Sequence, residues 1–189
     1  AESFTSKGRT DKLNLIDSLA KRGYAVVYSQ DELSKCESEK IFGLFAEGHL
    51  PEASKRGGVM QQYMLKVLEQ LDKNPNGFFM MLEGSRIDME AHLNKYDAMV
   101  EETLDFDRCV AIALDFAKRK GNTLVVVTAD HETGGLTLPA KGSKTQDKWT
   151  TLNHTGVPVP IYSFGPGAEN FTRVMQNTDI FFEIYKLMK

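Results

Sequence analysis

Two short stretches carry residues whose types and spacing could hold a metal ion. The first is Glu83-Gly84-Ser85-Arg86-Ile87-Asp88-Met89-Glu90-Ala91-His92. Asp88 and His92 stand four residues apart, so a single helical turn would put a hard oxygen donor and a borderline nitrogen donor on one face, aimed at one point. This stretch reads as half of a metal site. The second is Asp130-His131, just past the run Leu124-Val125-Val126-Val127-Thr128, and a further histidine stands in Asn153-His154-Thr155-Gly156. A lone aspartate or histidine is as often a capped turn or a satisfied core group. Two clusters of ligand-type residues delivered to the same edge of a sheet favour catalysis over a structural role.

The elements that must position these groups follow from the hydrophobic pattern. The apolar run Phe78-Phe79-Met80-Met81-Leu82 ends in Glu-Gly and predicts a buried strand, which would release Glu83 to His92 beyond its carboxyl end, where open α/β sheets bind ligands. Residues 124–128 include β-branched residues and show no alternation, as expected of a central strand covered on both faces. Further strands are expected over 24–28 and 41–45, and residues 157–162 enter a last one, so that His154 begins an element instead of ending one. Leu13, Ile16 and Leu19 recur at helical spacing up to Gly23, and residues 31–40 form a short charged helix or a loop. Met60, Met64, Val67, Leu68 and Leu71 form a helical stripe, its methionines read as core filling.

A long helix is expected from about Lys95 to Lys120. Its apolar face would carry Tyr96, Met99, Val100, Phe106, Val110, Ala113, Leu114 and Ala117, with Glu101, Asp105, Arg108 and Arg119 on a solvated face. A closing helix near Asp179 to Met188 would dock Phe182, Tyr185 and Leu187 on the sheet. Residues 134–156 are polar and irregular, a functional loop or an insertion. His49, in the loop with Gly48 and Pro51, reads as a solvated histidine or as a contributor to the site. The expected fold class is α/β: a largely parallel central sheet with helices on both faces, forming one segment over residues 1–189.

Composition narrows the classes of function. At 189 residues and 41% apolar, the chain can bury roughly two-thirds or more of its unfolded surface. A net charge of -3, from 23 basic and 26 acidic residues, argues against a nucleic-acid or anionic-membrane surface. No 18-residue apolar run is present to span a membrane. Residues 1–9 show neither an initiating Met nor the apolar core of a signal peptide, so a preceding segment is expected to have been removed. Cys36 and Cys109 lack CxxC spacing, which speaks against a cysteine zinc site or a disulfide framework.

Three motifs in order carry a family resemblance over nearly the whole chain. They are Leu82-Glu83-Gly84-Ser85-Arg86-Ile87-Asp88 with His92, then Thr128-Ala129-Asp130-His131-Glu132-Thr133-Gly134-Gly135, then His154-Thr155-Gly156. Together they resemble the metal-binding motifs of the alkaline phosphatases, and Gly43-Leu44-Phe45 and Gly48-His49 are similar to that family too. The resemblance implies that Asp88, His92 and His154 hold a first zinc, that Asp130 and His131 bind a second, and that Glu83 binds a magnesium. It implies hydrolysis of phosphate monoesters, releasing inorganic phosphate, through a phosphorylated serine. An exported, periplasmic or extracellular homodimer is implied for the intact protein.

The resemblance also marks a gap. No serine lies in a context like the family's Asp-Ser-Ala nucleophile; Ser85 aligns with a non-catalytic position, and Ser143 and Ser163 have no such context. In the family, the nucleophile, the aspartate shared by zinc and magnesium and the phosphate-binding arginine all precede the equivalent of residue 1. The chain is therefore expected to be a C-terminal part, with no catalytic residue of its own, needing the N-terminal half for turnover. The alternatives left open are a metal-dependent phosphodiesterase or phosphomutase of the same superfamily, and a non-catalytic zinc-binding module.

Overall fold

A computed structural model describes residues 2–138 and 148–188, which form α/β structure in two units, Ala1–Leu82 and Glu83–Lys189. Part of the expected 134–156 loop, with Lys141, Ser143 and Lys144, lies outside the described residues.

In the first unit, α1 (Leu15–Lys21) starts where the Asn14 side chain accepts hydrogen bonds from the backbone N–H groups of Ile16 and Asp17. The chain continues into β1 (Ala25–Val27), passes through α2 (Gln30–Lys35), capped by Ser29, and enters β2 (Ile41–Gly43). β1 and β2 pair in parallel, Ala25 opposite Ile41 and Val27 opposite Gly43, so this is a short βαβ unit. After α3 (Ala53–Arg56), α4 (Val59–Leu71) buries Met60, Met64 and Leu68 and packs on α2, whose Leu33 is also buried. The buried ridge steps by four residues only. Val67, expected on the same stripe, faces outward. Each fully buried side chain of this kind stabilises the unit by about 1.5–3 kcal/mol.

The second unit runs α5 (Arg86–His92), α6 (Tyr96–Lys120), β3 (Val125–Val127), β4 (Glu132–Thr133), β5 (His154–Thr155), β6 (Tyr162–Phe164) and α7 (Asn177–Leu187), with a short 3-10 helix at Ala168–Phe171. β3 and β6 are antiparallel with Val125 opposite Phe164, and β4 and β5 are antiparallel with Thr133 opposite His154. The described strands therefore make three two-stranded sheets, one parallel and two antiparallel.

Three local expectations are corrected. Residues 78–82 form no strand, and Phe79 and Met81 are 57% and 78% exposed. An apolar run signals suitability for a sheet, but a strand exists only through a ladder, and the ladders among the described residues do not include this run. On α6, Asp105 belongs to the buried stripe and not to the solvated face, at 1% exposure, with Glu102, Cys109, Phe116 and Ala117. Its carboxylate accepts a hydrogen bond from the Arg108 guanidinium at 3.0 Å. On α7, Phe182, Tyr185 and Leu187 are exposed, while Ile180 and Ile184, one turn apart, are the half-buried apolar positions.

The contact of α5 with α6 fixes the helix that carries Asp88 and His92. Gly84 lies so close to α6 that an added Cβ would meet the Phe106 ring at 2.9 Å, so any larger residue there would push the ring or the start of α5 aside. Arg86, on α5, donates to Glu102 of α6 at 3.2 Å and to Glu90 at 2.6 Å, and both carboxylates are buried. Asn94, in the left-handed conformation at φ 52°, turns the chain from one helix into the other. Removing one member of a buried charge pair leaves the other without full compensation. Glu102→Ala is expected to lower stability by about 3 kcal/mol in urea unfolding, whereas Glu101→Ala, at an exposed position of the same helix, changes it by less than about 0.5 kcal/mol.

Candidate functional site

The residues to which the family resemblance gives metal-binding roles, Glu83, Asp88, His92, Asp130, His131 and His154, lie in the second unit. Asp88 and His92 occupy successive turns of α5, as their spacing requires, and the His92 Nε2 to Asp88 Oδ1 distance is 3.3 Å. His154 arrives from β5 and brings its Nε2 to 3.5 Å from the same Asp88 oxygen and to 3.0 Å from His92 Nε2. Donors bound about 2.0–2.2 Å from a common tetrahedral ion stand roughly 3.3–3.6 Å apart, so the three atoms have close to the spacing that one zinc demands. Asp88 and His92 are half-buried and His154 is exposed.

A hydrogen bond on the far side of the His92 ring decides which of its nitrogens is presented. His92 Nδ1 lies 2.5 Å from the carbonyl oxygen of Leu152. A carbonyl can only accept, so Nδ1 carries the hydrogen, and in the neutral ring the lone pair is on Nε2, facing Asp88 and His154. The same arrangement recurs at metal centres, where a carbonyl or carboxylate orients the ligating imidazole.

The second cluster adjoins the first. Asp130 follows β3 and His131 precedes β4, with His131 Nε2 3.3 Å from Asp130 Oδ2. The His131 ring stacks on that of His154 with centroids 3.5 Å apart, and single ligand atoms of Asp88, His131 and His154 lie within 4.8 Å of one another. Asp130 is exposed at the rim. Glu83 is exposed and is not drawn into the cluster, and His49 lies in the other unit.

Two features were not foreseen from sequence. His154 does not merely begin the last strand region: it is half of a two-residue ladder with Glu132-Thr133, so the second and third motifs form one antiparallel pair. Glu132 secures that pair, accepting from the Gly135 N–H at 2.8 Å and from the Thr155 hydroxyl. Both motif neighbours were visible in the sequence, but nothing local indicated that their side chains tie the ligand strands together.

The chain was compared with known proteins. The family model described as alkaline phosphatase matches residues 1–145. Alkaline phosphatase H of Pseudomonas aeruginosa is 33% identical, the match covering 88% of this chain and 45% of that protein. The solved structure of alkaline phosphatase from the Antarctic bacterium TAB5 superposes with a TM-score of 0.87 at 34% identity, covering 98% of this chain and 57% of that one. A histidine-to-glutamate mutant of the TAB5 enzyme with Mg bound matches with a TM-score of 0.85 at 33% identity, over 95% of this chain and 56% of that one. The chain spans about half the length of the curated relatives it matches.

The turn that follows β4 is a sensitive point. Gly135 has φ +58°, and an added Cβ would overlap the Thr150 hydroxyl. Gly135→Ala is expected to cost about 2 kcal/mol or more, read from the thermal unfolding midpoint, because the left-handed conformation and the overlap add. Gly48→Ala, with no atom near its Cβ and no left-handed backbone, is expected to change stability by less than about 0.5 kcal/mol.

Proposed function

The chain belongs to the alkaline phosphatase family, and from that premise we propose that the intact protein hydrolyses phosphate monoesters at a metal centre to which this chain contributes. The single observation that carries the proposal is the convergence of Asp88 Oδ1, His92 Nε2 and His154 Nε2 within 3.5 Å of one another. In the proposal these three hold a first zinc, Asp130 and His131 hold a second, and Glu83 contributes to a magnesium site. Metals bound there would supply Lewis-acid stabilisation of the charge on the phosphate oxygens and a water acidified to a pKa of about 7.

The residues of this chain have defined tasks in that scheme. Asp88 supplies negative charge to the first site, and the Leu152 carbonyl, accepting from Nδ1, orients the His92 ring so that Nε2 is the nitrogen presented to the site. Glu132 holds β4 against β5, which keeps His131 and His154 side by side. The fourth position of the first site receives the ester or the water. We assign the nucleophilic serine, with its phosphoserine intermediate, to the part of the intact protein that this chain does not include, so that the chain alone is inactive and both units belong to one catalytic segment. Export and homodimer formation of the intact protein belong to the same proposal. No helix among the described residues is long and apolar enough to cross a membrane.

Zinc titration by calorimetry, paired with a phosphatase assay, tests this. The chain is expected to bind zinc and to leave p-nitrophenyl phosphate intact, and the His92→Ala, His154→Ala double variant to lose the tight zinc. Adding the N-terminal half of the intact protein, with zinc and magnesium, is expected to produce turnover. Zinc binding that survives the double substitution would remove the first-site assignment, and turnover by the chain alone would remove the division of labour.

A further inference from the structure

Thr133 has no task in the scheme above, yet its hydroxyl stands between the two proposed metal sites. Oγ1 donates to Asp88 Oδ1 at 2.5 Å and lies 3.2 Å from His131 Nδ1. A hydroxyl has one hydrogen and two lone pairs. With the hydrogen given to Asp88, Oγ1 can only accept from His131, so His131 Nδ1 carries a hydrogen. The unprotonated nitrogen of the neutral ring is then Nε2, which faces Asp130 Oδ2 at 3.3 Å.

We propose that Thr133 is a positioning residue that couples the two sites, holding the Asp88 carboxylate for the first metal and selecting the ligating tautomer of His131 for the second. The inference rests on the metal-centre reading of the proposed function. The backbone supports it independently of the hydroxyl. Thr133 lies opposite His154 in the β4–β5 pair, so its Cα is fixed relative to the third ligand of the first site. One residue thus touches a ligand of the first site and a ligand of the second through its side chain, and is paired through its main chain with a third. The donor geometry is that of a group that orients ligands without binding the ion itself.

The test compares Thr133→Val, which keeps the shape and removes the hydroxyl, with Thr133→Ser, which keeps the hydroxyl. Three quantities are measured on the chain: zinc affinity by competition with a chromophoric chelator, the His131 tautomer in the metal-free chain by long-range ¹H–¹⁵N correlation, and the unfolding midpoint. The valine variant is expected to bind zinc about 10–100-fold more weakly, with less hydrogen on His131 Nδ1 and an unfolding midpoint close to that of the wild type. The serine variant is expected to recover most of the affinity and the tautomer. Thr133→Ala serves the same comparison if the valine variant does not fold.

Wild-type and valine chains that bind zinc equally well, or that share one His131 tautomer, would overturn the role of Thr133 alone. A wild-type chain that binds no zinc would overturn the metal reading, and the positioning role with it.

Discussion

Three atoms able to ligate a metal, Asp88 Oδ1, His92 Nε2 and His154 Nε2, are held within 3.5 Å of one another. Lone pairs at that separation repel unless a proton or a cation stands between them, and a partly desolvated setting strengthens the repulsion. The second unit is built to keep them there. Two donors share a face of α5 because the helical repeat puts residues four apart on one side. The third comes from β5, held in register by β4. The Leu152 carbonyl fixes one ring, and a cation at the focus would turn the mutual repulsion into coordination.

A seven-residue helix cannot supply that rigidity alone, since isolated helices of this length are not stable in water. α5 takes its position from α6, which is 25 residues long. The close approach at Gly84 sets the distance between them, and the Arg86 fork to Glu102 and Glu90 sets the angle and register. An apolar contact would hold the helices together with less control over sliding, while a planar guanidinium bonded to carboxylates on both helices admits few arrangements. Metal centres tolerate displacements of about 0.5 Å, so the charge network two residues from Asp88 acts on the site through geometry.

What the sequence made legible was local. α1, α4 and α6 could be read from their periodicity, β3 from its run of valines, and the pairing of Asp88 with His92 from a spacing within one helical turn. Features set by distant partners stayed hidden. The run 78–82 is strand-like in composition but makes no ladder, and β4 and β5 are too short to show any period. Asp105 read as a surface charge because nothing near it announces its burial, and the burial of Glu102 makes sense only with Arg86 16 residues away. Thr133 is hidden for the same reason, since its partner Asp88 is 45 residues distant. The family resemblance supplied the grouping of the ligands; the structure adds the hydrogen bonds that orient them.

Anomalous diffraction at the zinc edge, from crystals of the zinc-soaked chain, measures the centre most directly. The account predicts a peak about 2.0–2.2 Å from Asp88 Oδ1, His92 Nε2 and His154 Nε2 together. A zinc peak bound elsewhere, with these three donors left in contact with one another and without an ion, would contradict it.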